Sequence, residues 1–109
     1  MGTVTPLAQS FTVVLNASGN GTIQCGPNRL GQTWKPTTVA VSTSTATKVP
    51  IAEVLQGTTS LGATFSGSTD TNTLTDVTVY PGQKLTITWT GGDVGAVATA
   101  SVSGTIEQW

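Results

Sequence analysis

Histidine is absent from this 109-residue chain, cysteine occurs once, at Cys25, and charged side chains make up 8% of it. Globular chains usually carry about 25% charged residues. Each shortage closes off a class of function. Without histidine, no Ser or Thr hydroxyl has the usual base to activate it, and no S-x-x-K spacing offers lysine in its place. A lone cysteine forms no internal disulfide, so nothing points to an oxidising compartment. Cys25 reads as a small buried hydrophobe on a strand, because no histidine or cation cluster is present to lower its pKa. Four scattered cations, Arg29, Lys35, Lys48 and Lys84, cannot form the basic stripe that nucleic-acid binding needs. No apolar run approaches the roughly 18 residues of a membrane-spanning helix, so neither nucleic acid nor membrane is an expected partner. The opening "MGTVTPLAQSF" lacks the basic and apolar regions of a secretory signal, and Pro6 spoils the myristoylation pattern after Gly2.

What remains is threonine, about a fifth of the chain, set into a period of two. In "KLTITWT", Leu85, Ile87 and Trp89 share one face, while Thr86, Thr88 and Thr90 share the other. "FTVVL" aligns Phe11, Val13 and Leu15, and the last stretch sets Ala98, Ala100, Val102 and Ile106 against Thr99, Ser101, Ser103 and Thr105. Branched threonine suits the wet face of a strand, where its methyl packs on the pleat and its hydroxyl meets water. No segment has helical spacing beyond about one turn. The alternation predicts about eight strands, over 10–16, 21–26, 37–44, 50–56, 61–66, 74–80, 84–90 and 96–107, with turn residues between nearly all of them. The expected fold is therefore all-β: a single antiparallel β-sandwich, jelly-roll-like or immunoglobulin-like, over residues 10–109. Residues 1–9 are expected to form an extended N-terminal arm able to add to a neighbour's sheet edge.

The polar segments read mainly as turns. "TGGDVG", between Trp89 and Ala96, has the glycines and aspartate that a six-residue strand connection needs for positive φ. Two sequons, Asn16-Ala17-Ser18 and Asn20-Gly21-Thr22, fall in a hairpin turn where Asn and Gly serve the backbone. "DTNTLTD" sets Asp70, Asn72 and Asp76 as the first oxygens of a calcium loop would stand, but without the glycine and terminal glutamate that complete one. Glu53, Asp76 and Asp93 are the only carboxylates a glycosidase could use, and they lie in three separate segments. The expectation is a protein that is not an enzyme and needs no cofactor or metal. Trp89 belongs in the core. Trp34, in "GPNRLGQTWKP", and the terminal Trp109 either close the ends of the sandwich or meet a partner.

The order of these elements resembles a known group. "GPNRLGQTW" (Gly26, Pro27, Gly31, Trp34) leads into "VAVSTST" (Val39 to Thr45). "PGQ" (Pro81 to Gln83) and "WTGGDVG" (Trp89 to Gly95) close the pattern. This is similar to small β-proteins encoded among the virion structural genes of tailed bacteriophages that infect actinobacteria, over roughly the last four-fifths of the chain. The resemblance rests on turn and core residues and transfers no catalytic residue. It implies a head decoration or minor capsid protein, or a minor tail protein, located in the virion. Its expected partners are major capsid or tail proteins, with self-association compatible. The rival expectation is a carbohydrate-binding module for host cell-wall glycans, with Trp34, Tyr80 and Trp109 as stacking platform and Asp70, Asn72 and Asp93 as hydrogen-bond partners. A third is a secreted adhesin-type domain.

Overall fold

A computed structural model of the chain describes residues 3–27, 31–44, 47, 48, 50–57, 59–66 and 69–108. Eight strands follow one another: β1 (Thr3–Val14), β2 (Gly21–Cys25), β3 (Gln32–Thr43), β4 (Ile51–Gln56), β5 (Thr59–Ser66), β6 (Thr69–Thr73), β7 (Leu85–Thr90) and β8 (Val97–Gln108). Their pairing has a simple rule. The first strand pairs with the last, β2 with β7, β3 with β6 and β4 with β5, all antiparallel. A two-armed ribbon of this kind, rolled so that β8 also meets β3 and β7 meets β4, gives sheets β1-β8-β3-β6 and β2-β7-β4-β5. That is the double-sheet jelly roll. The immunoglobulin arrangement is set aside, since it pairs several sequence neighbours and only β4 and β5 do so here.

The core is the inner face that the alternation predicts. Leu85, Ile87 and Trp89 are fully buried on β7, as are Ala98 and Ala100 on β8, with Val39, Val41, Ala52 and Val54 around them. β7 and β8 hold corresponding second places in their sheets. The small alanines of β8 therefore offset the large indole of Trp89 across the sandwich, as close packing of an interior requires. Fully burying an aliphatic side chain such as Leu85, Ile87 or Val39 contributes about 1.5–3 kcal/mol. In the first sheet β1, β3 and β8 run 12 residues each, where the strands of the other sheet run 5 to 8. The first sheet thus overhangs the second, and the molecule is 49 Å long but 22 by 21 Å across.

Three segments differ from the sequence reading. From Thr3 onward the expected arm is the first half of β1, in unbroken register with β8 from Thr3–Gln108 to Val14–Val97, and Leu7 is 1% exposed. Residues 3–9 are extended, but they pair with their own chain and belong to the sandwich. The strand expected over 74–80 is a connecting segment, although Leu74, Val77 and Val79 are buried. A single bridge holds it: Trp34 N–H donates to the Val79 carbonyl at 2.9 Å, and Val79 N–H donates back at 2.8 Å. The sixth strand is instead Thr69–Thr73, within the segment expected to be a polar loop. Both strand prolines sit where no ladder bond is lost. Trp34 N–H faces Val79 on the side away from β8, so the same face of Pro36, two residues on, needs no donor to β8. The ladder shifts register between Pro36 and Thr38, opposite Gly104. A Cβ on Gly104 would lie 2.3 Å from the Lys35 carbonyl oxygen, so only glycine fits beside this bulge.

Candidate functional site

Of the six residues nominated as partner or glycan contacts, the five that the structure describes do not meet on one surface. Trp34 lies in β3, although the predicted strands left it between 21–26 and 37–44, and it is 5% exposed. Tyr80 is 55% exposed and follows the bridge residue Val79. Asp70 and Asn72 stand on β6, opposite Val41 and Val39. Val41 is seven residues along β3 from Trp34, about 23 Å at roughly 3.3 Å per residue. Asp93 lies beyond that, in the loop between β7 and β8. Trp109 falls outside the described residues. No aromatic platform flanked by those polar groups is formed by Trp34 and Tyr80, and the buried Trp34 reaches the surface only as part of a groove lining.

The glycine-rich bend at Gly91–Gly95 is a tie between loops. Gly92 N–H donates to the Gly19 carbonyl at 2.9 Å, Gly91 N–H to Asn20 Oδ1 at 3.2 Å, and Gly95 N–H to the Leu15 carbonyl at 3.0 Å. Asp93 Oδ2 accepts the N–H groups of Thr47 at 2.9 Å and Lys48 at 3.3 Å, so the one carboxylate of the bend clamps the β3–β4 connection. Within the facing turn, Asn16 Oδ1 accepts from Ser18 N–H at 2.9 Å and Asn20 N–H at 3.1 Å. A Cβ on Gly19 would lie 2.1 Å from the Gly92 carbonyl oxygen, so backbone meets backbone there. The N–H groups of Gly91, Gly92 and Gly95 are thus engaged within the protein. Sequence reasoning had the turn but missed its partners, because nothing local marks Thr47 and Lys48 as lying beside Asp93.

A groove with mixed chemistry, of about 340 Å³, lies on the side where β1 and β2 are the edge strands. Phe11, Trp34 and Ile106 contribute its apolar lining, and Gln9, Gln24 and Lys84 its polar one. Cys25 also lines it, and burial pushes its thiol up to about 11, outweighing the opposite pull of the Lys84 ammonium. The Sγ donates to the Leu85 carbonyl at 3.7 Å. A thiol held protonated in this way is a packing group and not a nucleophile. The groove offers amides and a cation for hydrogen bonding, without a base beside an activated hydroxyl.

A second depression, of about 270 Å³, includes Lys35, Thr37, Asp76 and Thr78. Asp76 there adopts φ 56°, a left-handed conformation that aspartate tolerates better than most residues. Its separation from Asp70 and Asn72, which lie on β6, leaves the calcium-loop pattern unassembled. Among the described residues no three His, Cys, Asp or Glu side chains gather as metal ligands. Comparison with known proteins finds no family model, no curated protein and no solved structure that matches this chain.

Proposed function

We propose that the chain is a non-enzymatic structural protein of a bacteriophage virion, a head decoration or minor capsid protein or a minor tail protein. It works by docking on the particle through its sheet surfaces and edges. The observation that supports this reading most is the jelly-roll pairing of the eight strands, an architecture used by viral capsid domains as well as by lectins. Its outer faces support it further. They carry Ser, Thr and Ala, such as Ser10, Thr12, Thr99, Ser101 and Ser103, with few charges to desolvate on contact. The sequence pattern shared with small virion β-proteins points the same way. Immunogold labelling of intact particles, with antibody to the purified chain, tests the proposal. Label over heads or on tails is the expected result, and unlabelled particles would overturn it.

The glycan-binding reading loses its support at Trp34, whose ring is buried. Trp89 is fully buried as well, so neither of the two described tryptophans is a good reporter of sugar stacking. Calorimetric titration with host cell-wall polysaccharide is the sounder check, and no heat of binding is expected.

A further inference from the structure

We propose that β1 is a self-pairing edge: two copies of this chain join antiparallel along β1, about a two-fold axis at Phe11, into one continuous eight-stranded sheet. This goes beyond the virion reading and does not depend on it.

The β1 backbone points alternate residues to opposite sides of the strand. Leu15 turns both its N–H and its C=O toward the β8 side, donating to Ala96 at 2.9 Å and accepting from Gly95 at 3.0 Å. Val97, the register partner of Val14, turns its own groups the other way, toward Ser44. The odd-numbered residues of β1 therefore serve the β8 ladder, and the even-numbered ones face the open side. Ala8, Ser10, Thr12 and Val14 are all exposed and present N–H and C=O groups there. Pro6 has the same parity, so its missing N–H costs the β8 ladder nothing and marks where the open row of donors stops.

Natural sheets blunt such edges with short strands, bulges, prolines or charges. The edge strands β2 and β6 are 5 residues long, and β5 meets its neighbour through a register shift. β1 is 12 residues long, in unbroken register with β8, and holds no charged residue. Only Pro6 protects it, and only at one end.

The occupant follows from complementarity. A neutral strand opposite its own copy brings no like charges together. Hydrogen bonding requires even residues to face even residues across the new ladder. With Phe11 on the axis, Ala8 faces Val14 of the second copy and Ser10 faces Thr12, so every N–H of these four meets a carbonyl. Moving the axis to Ser10 sets Pro6 opposite Val14 and forfeits a donor. Moving it to Thr12 sets Ala8 opposite Asn16, which is already held in its turn. The chosen register also places the half-buried Phe11 against its symmetry mate and brings the exposed Val14 under cover.

Two experiments on the full chain test this. Sedimentation equilibrium should give twice the chain mass, falling to one chain mass in Thr12→Pro. That substitution removes an open-side N–H and leaves the β8 ladder intact, so its circular dichroism should match the wild type. Separately, Phe11→Cys should form a disulfide-linked dimer on mild oxidation, because the two residues would be a non-hydrogen-bonded pair about 4.5 Å apart at Cα. Gln9→Cys should form none, since residue 9 faces Val13 of the second copy. A wild-type chain that stays monomeric at every concentration overturns the proposal and leaves β1 for a strand of another protein. A dimer that survives folded Thr12→Pro, or one that Gln9→Cys captures and Phe11→Cys does not, overturns it equally.

Discussion

The two ends of β1 are built on opposite terms. At its C-terminal end, the turn after Val14 is bound to the Gly91–Gly95 loop by reciprocal backbone bonds, and Asp93 reaches across to the β3–β4 connection. Along its open side, from Ala8 to Val14, the same strand presents a row of backbone donors and acceptors to its surroundings. Polar groups that the fold has consumed hold the molecule together, and polar groups left over are what it offers to others. This contrast places binding on the edge and makes the glycine-rich loop, the more conspicuous feature of the sequence, a structural part.

Breaking the tied end should cost most. Gly19→Ala would bring a Cβ to 2.1 Å from the Gly92 carbonyl oxygen at φ 75°, so both strain and displacement oppose it. The expected loss is about 3 kcal/mol, read from chemical denaturation. Next in size is a pH effect near the groove. Cys25 has a thiol raised from its ordinary 9.0 to about 11 in the fold. Its contribution is therefore complete below pH 9 and disappears as pH rises through 11. Relative to Cys25→Ala, the wild type should lose about 2 kcal/mol over that window, measured as the difference between the two unfolding curves.

Asp93→Ala removes the acceptor of two N–H groups on a part-exposed carboxylate and should cost about 1–2 kcal/mol by the same denaturation. Thr33→Val should act in the opposite sense. The Thr33 hydroxyl is buried and lacks a hydrogen-bond partner among the described residues. Its isosteric replacement should raise stability by about 1 kcal/mol, seen as a higher Tm. The smallest effect belongs to the open edge: Thr12→Pro should change the stability of the isolated chain by less than about 0.5 kcal/mol while abolishing self-association.

How far the sequence foretold all this depends on the residue. In β7, Leu85, Ile87 and Trp89 alternate with threonines, and burial follows the letters one by one. A period of two tells which face is inside but not which strand lies alongside, so the jelly-roll pairing could not be read. β6 escaped because TDTNT has no apolar residue of its own; it is an edge strand ordered by its ladder to β3. Residues 74–80 misled for the converse reason. Leu74, Val77 and Val79 bury against the core from a connecting segment, and packing alone produces the same spacing. The first half of β1 looked like an arm because it overhangs the second sheet, where inward Thr3 and Thr5 need not be apolar. Among the nominated contacts, Trp34 stood beside Gly31 and Pro36 in the sequence, yet that proline sits at a bulge that keeps the strand continuous. The open edge went unseen because it is made of backbone, and side-chain letters do not record backbone direction.

Amide hydrogen exchange along β1, followed by NMR in dilute and concentrated solution, tests the contrast most directly. Leu7, Gln9, Phe11 and Val13 should be protected at both concentrations. Ala8, Ser10, Thr12 and Val14 should exchange freely when dilute and become protected when concentrated. Protection of those four in dilute solution would mean that the chain covers its own edge, and free exchange at both concentrations would mean that no second copy binds there. Either result would contradict the account.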